Sequence, residues 1–347
     1  MADGSAIRLL AAYVVALVVV LGAVALLGLA VDGNSGPPDG ASIDGQSPPQ
    51  FQPERVNVDA DPETGTLTVE NGSARLLVDT RHGNEFSRAD LEPIEEATFR
   101  AGHRLSYPDS VDAEPYNETL AGHAGLLVVQ PTQEFTATER AVLENYTDAG
   151  GHVVILGEPT QTRVSGGLIA SSTVVSFGAN NLTSQYGFRM GAETLFNVDD
   201  AANDNNFKSI YAAPNGDGPL TEGVDTVTFD TGSYASVRDD SDAEVVYTAV
   251  DGTQTLQTRR TGQYPTVVRT ENVVFVADAS VLERTEVYDA DNEAFVGNLL
   301  SFLAAGDAPD RVPGPEPDAD EETTSGSTPT GGSTPTTPGN TTTPTAG

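Results

Sequence analysis

The chain has 347 residues, with 17 Lys plus Arg against 51 Asp plus Glu and a formal net charge of −34. A protein this acidic lacks the basic face that neutralises phosphates, which argues against nucleic acid as a partner, and the absence of cysteine excludes disulfides, a thiolate nucleophile and thiolate-ligated zinc. Such a surface is the mark of adaptation to molar salt, where a Debye length of about 3 Å screens its self-repulsion.

After a short N-terminus, residues 1–8, an uncharged apolar run extends from Leu9 to Val31. At about 1.5 Å per residue it spans roughly 34 Å as a helix, enough to cross a hydrocarbon core, and reads as a transmembrane anchor. Arg8 precedes it and the next basic residue is Arg55, so the positive-inside rule places the N-terminus in the cytoplasm and the rest of the chain outside, a single-pass cell-membrane protein. Gly28-Leu29-Ala30 offers a signal-peptidase site as the rival reading, against which the length of the run speaks. Residues 32–54, rich in Gly, Pro, Ser and Asp, read as a disordered linker. Residues 308–347, acidic and then Ser/Thr/Pro-rich, read as a disordered tail. Among five Asn-x-Ser/Thr triplets, Asn71, Asn117 and Asn340 are the better glycosylation candidates, since Asn145 falls in a predicted helix.

Residues 55–307 form one predicted domain. VNVD and TLTVE around Asp61-Pro62-Glu63-Thr64-Gly65 read as a hairpin, and ARLLVDT as a buried strand. A helix follows, with Asp90 as N-cap, Pro93 in its first turn, Leu91, Ile94, Ala97, Thr98 and Ala101 as its apolar face and Gly102 as its stop. HRLSY and GLLVVQ are the next strands. Thr136 and Glu139 form a capping-box pattern at the start of a helix that ends at Gly150-Gly151, before the strand HVVILGE. This alternation predicts an open, mostly parallel sheet of flavodoxin-like α/β type. Farther on, DTVTFDTGSYASV and AEVVYTAV read as strands, PTVVRT with NVVFVADAS as a hairpin closing the sheet, and NEAFVGNLLSFLAAG as a final helix opened by Asp291-Asn292, with Val296, Leu299, Leu300 and Leu303 on one stripe.

Four phrases, VDTRHGN, TATERAVLENYTDAGGHVVILGEP, GPLTEGVDTVTF and VVFVADAS followed by DNEAFVGNLLSFL, resemble in their order the family called domain of unknown function 4350. The resemblance spans nearly all of residues 74–304. It implies a fold similar to the class I glutamine amidotransferases and to gliding-type accessory proteins of transport systems. It also implies an assembly partner of the MoxR-type ATPase or von Willebrand-like kind. The amidotransferase nucleophile is a cysteine on a turn after a central strand; this chain has Glu158 and Thr160 in that neighbourhood and no Gly-x-Ser/Cys-x-Gly elbow, which argues against amidotransfer.

In an open parallel sheet, ligands bind outside the carboxyl ends of the strands. Asp79, Arg81, His82 and Asn84 follow one strand, Glu158 follows another and Asp278 a third, and these six are the candidate ligand-binding residues. Three readings of the loop at 79–84 stand open. It is a turn, with Asp79 in an Asx-turn, positive φ at Gly83 and Ser87 or Asp90 capping the next helix. It is a binding loop for a small polar or anionic ligand, with Arg81 and Asn84 as donors. Or it is a hydrolase centre, with His82 as base, Asp79 or Glu158 orienting it and Ser280 or Thr160 as nucleophile. The four histidines, His82, His103, His123 and His152, show no metal-ligand spacing, and DDAANDNN at 199–206 lacks the spacing of a calcium loop. No cofactor or metal is expected, and the domain reads as a non-catalytic binding or scaffolding component of a cell-surface assembly, with the hydrolase and a transporter accessory subunit as alternatives.

Overall fold

The structure, a computed structural model, describes residues 65–108, 114–165 and 171–314. The predicted anchor 9–31, the linker 32–54, Asn340 and the tail beyond Gly314 lie outside the described residues. Among those described, no helix is long and apolar enough to cross a membrane.

Buried apolar runs build the first strands: β1 (Arg75–Val78), β3 (Gly125–Val129) and β4 (His152–Leu156), with β2 (Arg104–Ser106) short and at the edge. Between them lie α1 (Glu92–Arg100), the short α2 (Tyr116–Leu120) and α3 (Ala137–Asp148). The second half adds β5 (Gln161–Ser165), β6 (Ser171–Val175), α4 (Asn180–Thr183), β7 (Phe188–Met190), β8 (Leu195–Phe196), β9 (Ser209–Pro214), β10 (Val227–Asp230), β11 (Ala235–Val237), β12 (Glu244–Ala249), β13 (Gln254–Thr255), β14 (Pro265–Arg269), β15 (Val273–Val276) and α5 (Asn292–Ala304).

Nine strands form one sheet in the order β10-β9-β12-β14-β15-β4-β3-β1-β2. The pairs from β2 to β15 are parallel and those from β15 to β10 antiparallel, so only β14 and β9 are reversed and seven of the nine strands point one way. The predicted closing hairpin is β14–β15. The segment Ser209–Pro214, for which the sequence pattern predicts no element, is β9, placed between β10 and β12.

The two-residue period of the strands sends alternate side chains to opposite faces. Leu76, Val78, Leu127, Val129, Val154 and Leu156 pack under α1 and α5, whereas Leu77, Leu126, Val128, Val153 and Ile155 pack against Val142, Leu143 and Tyr146 of α3. The sheet is therefore buried on both sides, which is why its strands read as continuous apolar runs.

Four expectations are corrected. TLTVE is not a hairpin strand: Leu67 and Val69 are buried, but the segment lies along α5, where Glu70 N–H donates to Ser301 Oγ at 3.0 Å and a side chain at Gly297 would collide with the Thr68 carbonyl. Its alternation served a helix surface, which period alone cannot distinguish from a strand partner. Asp90 does not cap α1, because its Oδ2 accepts Ser87 N–H at 2.7 Å while Ser87 Oγ accepts Asp90 N–H at 3.3 Å, closing a turn before the helix. Asp291 is likewise turned away from α5: its Oδ2 accepts the amides of Asp225 and Thr226 at 2.8 and 3.0 Å. Finally, the ordered domain passes residue 307. Val312 is buried, and the carbonyls of Pro309, Val312 and Pro313 accept from Gly122 N, Asn117 Nδ2 and Asn145 Nδ2.

Candidate functional site

The strand order turns back at β1, with β2 on one side and β3, β4 and β15 on the other, which is the switch-point arrangement that opens a crevice at the carboxyl ends of the strands. A crevice of about 240 Å³ is found there, lined by Phe86 from the loop after β1, Gln130 after β3, Glu158 after β4, Asp230 at the end of β10, and Ser280 and Glu283 after β15. Five elements that are remote in sequence supply it.

Glu158 is held by the backbone. Its Oε1 accepts Ala279 N–H at 2.7 Å and Ser280 N–H at 3.0 Å, and its own N–H donates to Gln130 Oε1 at 2.6 Å. Asp278, fully buried, accepts Ser280 Oγ–H at 2.6 Å on Oδ1, and its Oδ2 has no hydrogen-bond partner. Burial pushes the Glu158 carboxyl up to about 7 against the lowering effect of the Ala279 and Ser280 amides and of a hydrogen bond with the Asp278 carboxyl. Burial, then the charge of Glu158, holds Asp278 well above the usual carboxylate range. Asp230 and Glu283 are raised too, each first by burial, then by Glu286 and by Asp90 respectively.

Gln130 was missed in the sequence and joins these strand ends. It is 3 % exposed and adopts a φ of 38°, a left-handed conformation that is strained for a residue with a side chain. Its N–H donates to the Leu156 carbonyl, its carbonyl accepts Glu85 N–H, and its side chain orients the Glu158 backbone. Only Pro131 after it marks the position as unusual, since the residue before proline is steered out of the right-handed helical region.

The loop at 79–84 belongs to a different environment. His82, 3 % exposed, stacks on Phe135 with centroids 3.5 Å apart and meets Tyr116 edge-on at 5.9 Å. Its Nδ1 lies 2.8 Å from Asp79 Oδ2 and its Nε2 3.5 Å from Glu139 Oε2. The expected Asx-turn at Asp79 is replaced by this side-chain pair. It is Asn84 that closes the turn, accepting His82 N–H at 3.1 Å and donating to the Val129 carbonyl at 3.0 Å. Gly83 has the predicted positive φ, 61°. The His82 carbonyl accepts the amides of Thr132 and Gln133 at 2.9 Å each, so the loop after β3 clamps the loop after β1. Arg81 leaves in another direction, donating to the Glu114 carbonyl at 2.7 Å and to Thr119 Oγ1 at 2.8 Å.

The six candidate residues thus divide. Glu158 lines the crevice and Asp278 lies directly behind it, while Asp79, His82 and Asn84 are internal fasteners and Arg81 faces a separate pocket beside α2. A His82-to-Ser280 relay is not assembled: the Ser280 hydroxyl donates to Asp278, and the buried His82 Nε2, the atom that would take a proton, faces Glu139 Oε2 at 3.5 Å. The other histidines are fasteners as well. His103 Nδ1 accepts Ala74 N–H at 3.0 Å, and the His152 ring stacks on Phe302. Among the described residues no group of three or more His, Asp or Glu is placed to hold a metal ion. Asn71 is exposed, whereas the Asn117 amide donates to the Val312 carbonyl at 3.2 Å.

No protein-family model matches the chain, and no curated protein matches it. Solved structures do. The N-terminal domain of mmIFT52 is 16 % identical, with 67 % of this chain and 99 % of that domain covered at a TM-score of 0.52. A ThuA-like protein from Bacteroides uniformis is 12 % identical over 71 % of this chain and 97 % of its own, at a TM-score of 0.43. A glutamine amidotransferase from Thermotoga maritima is 10 % identical over 67 % of this chain and 97 % of its own, at 0.37. At these identities the likeness concerns fold alone, and the chain is a mixed α/β protein built on the architecture that the mmIFT52 domain also has.

Proposed function

We propose that the domain is a non-catalytic binding or scaffolding module of a cell-surface assembly, held at the membrane by the apolar segment 9–31 and akin to the domain of unknown function 4350 family. The observation that supports this most is the state of Glu158. It stands after β4, in the neighbourhood where an amidotransferase-like protein carries its nucleophile, and its Oε1 is occupied by two backbone amides, which makes it part of the wall. The hydroxyl and imidazole groups that a hydrolase needs do not meet: Ser280 donates to Asp278, and the His82 ring is buried on Phe135 with its Nε2 towards Glu139. What remains at the switch point is a small polar crevice, which is the feature a binding module needs.

The test is affinity purification of the tagged full-length protein in mild detergent and molar salt, with mass spectrometry of whatever accompanies it. A stoichiometric ATPase, a protein with a von Willebrand-like domain or a permease supports the assembly role and names the partner; the permease would favour the transporter-accessory reading. Isolation of the protein alone, together with turnover of an ester, amide or glycoside by the wild type, overturns the proposal in favour of the hydrolase. Wild-type turnover is the proper readout, because loss of activity in a His82 variant would follow from damage to a buried contact.

A further inference from the structure

We propose that the domain pairs with a second copy of itself through the outer edge of β2, about a two-fold axis that joins the two nine-stranded sheets antiparallel. Such pairing goes beyond the assembly reading and needs nothing from it. β2 ends the sheet: it pairs in parallel with β1, and no strand lies on its other side among the described residues. Arg104 N–H donates to the Ala74 carbonyl, so the alternation of the ladder turns the N–H and C=O of Leu105 outward, where they offer a strand's bonds to an incoming chain. About a two-fold axis at Leu105 the two copies exchange those bonds, the N–H of each donating to the C=O of the other.

The side chains beside that edge suit the same partner. α1 and β2 border a groove of about 930 Å³, lined by Leu105, Tyr107 and Phe99, and Phe99 is 82 % exposed. The charges of the groove are balanced, Arg75, Arg88 and Arg104 against Glu92, Glu95 and Glu96, in a chain where acids outnumber bases 51 to 17. A face that meets its own copy must be of this kind, because the rest of so acidic a surface repels itself. The charges are also ordered along the edge. Arg75 and Arg104 open their strands, and α1, the crossover between them, runs back so that Arg100 ends it at the same amino edge while Glu92 and Glu95 begin it at the carboxyl edge. Antiparallel pairing lays the amino edge of each copy against the carboxyl edge of the other, arginines on glutamates. Arg88 stays with Glu95, 3.7 Å away, but Arg104 is exposed and has no ion-pair partner among the described residues. A basic partner would be drawn to the acidic faces elsewhere and an acidic one would meet the glutamates here, so charge and backbone together select a second copy.

Because the chain has no cysteine, a single introduced one reports the geometry. Full-length Leu105→Cys, in membranes and molar KCl, is oxidised with copper phenanthroline beside Asp239→Cys, which lies in the exposed turn after β11. Residues facing each other as a hydrogen-bonded antiparallel pair stand about 5.5 Å apart at Cα, within reach of a disulfide. The expected result is a cross-linked dimer that takes most of Leu105→Cys and little of Asp239→Cys. In sedimentation equilibrium the detergent-solubilised wild type should be a dimer, with a dissociation constant at least about tenfold higher in Phe99→Asp, whose side chain the fold leaves in solvent, and less affected in Arg104→Glu. A monomeric wild type at micromolar concentration, equal cross-linking at the two positions, or a dimer indifferent to Phe99→Asp would each overturn the proposal. So would a Leu105→Cys thiol shielded from maleimide in a monomer, whether by a co-purifying protein or, where truncation after Gly314 unmasks it, by the chain's own tail.

Discussion

Two loop clusters stand at the same edge of the sheet, and they treat charge in opposite ways. Around His82 every suggestive group is turned inward: imidazole on Phe135 and Asp79, Asn84 on the strand beside it, Arg81 on the α2 segment. Around Glu158 the carboxyls of Asp230, Asp278 and Glu283 crowd one another and none has a basic ion-pair partner within 4 Å among the described residues. The difference teaches that catalytic residue types in a loop indicate little until their partners are known. Both clusters hold buried polar atoms without a hydrogen-bond partner, Asp79 Oδ1 and His82 Nε2 in the first and Asp278 Oδ2 in the second, so what separates them is the company each keeps: an imidazole beside its carboxylates in one, acids alone in the other.

The largest expected effect breaks the first cluster. His82→Ala removes the stack on Phe135 and leaves the buried Asp79 carboxyl without its ring partner, and the loss of stability should be about 3–5 kcal/mol in denaturant unfolding. A loss below about 1 kcal/mol would show that the pair is not a fastener.

The next prediction sets the clusters against each other by pH. A carboxyl raised in the folded state binds its proton more tightly there than in the unfolded chain, so its contribution is present below the unfolded value and lost as pH rises through the folded one. For Glu158, lifted from 4.5 to about 7, this amounts to about 3 kcal/mol lost between those values, a slope that Glu158→Gln should flatten. Glu139 beside His82 runs the other way. Burial raises its proton affinity, but the hydrogen bonds from Thr136 and the nearby His82 outweigh that and hold it below the usual range. Its stability is present above the unfolded value and lost as acid protonates it. Unfolding curves from about pH 2 to pH 8 for the wild type, Glu158→Gln and Glu139→Gln check both signs; parallel curves would erase the contrast.

Smaller effects sharpen it. Thr136→Ala removes half of the capping box at the start of α3, where Glu139 N–H donates to Thr136 Oγ1 at 3.2 Å, and should cost about 1 kcal/mol in the same assay. Glu283→Gln, at the exposed rim of the crevice, should change stability by less than about 0.5 kcal/mol, and a larger gain at high pH would show that the rim feels the repulsion as strongly as the floor.

Much of the fold could be read from residues that act on near neighbours. The alternating runs at 76–78, 126–129 and 153–156, the capping box at Thr136 and Glu139, the positive φ at Gly83 and the stripe of α5 are set by sterics and hydrogen bonds within a few residues. The same local reasoning misplaced Asp90 and Asp291, because a carboxylate near a helix start has several amides within reach and only the packed chain selects one. It also took TLTVE for a strand, since alternate burial against α5 has the period of burial against a sheet.

What the sequence by itself determined is the acidic, cysteine-free chemistry, the α/β periodicity and the order of the main elements, because composition and short-range pattern are written along the chain. The tertiary structure alone decided which carboxylates meet. Glu158, Asp230 and Asp278 come from three strand ends far apart in sequence: the pairing of β4 with β15 sets Glu158 near Asp278, and the chain leaving β10 returns to them, where Ser280 Oγ donates to the Asp230 carbonyl at 3.3 Å.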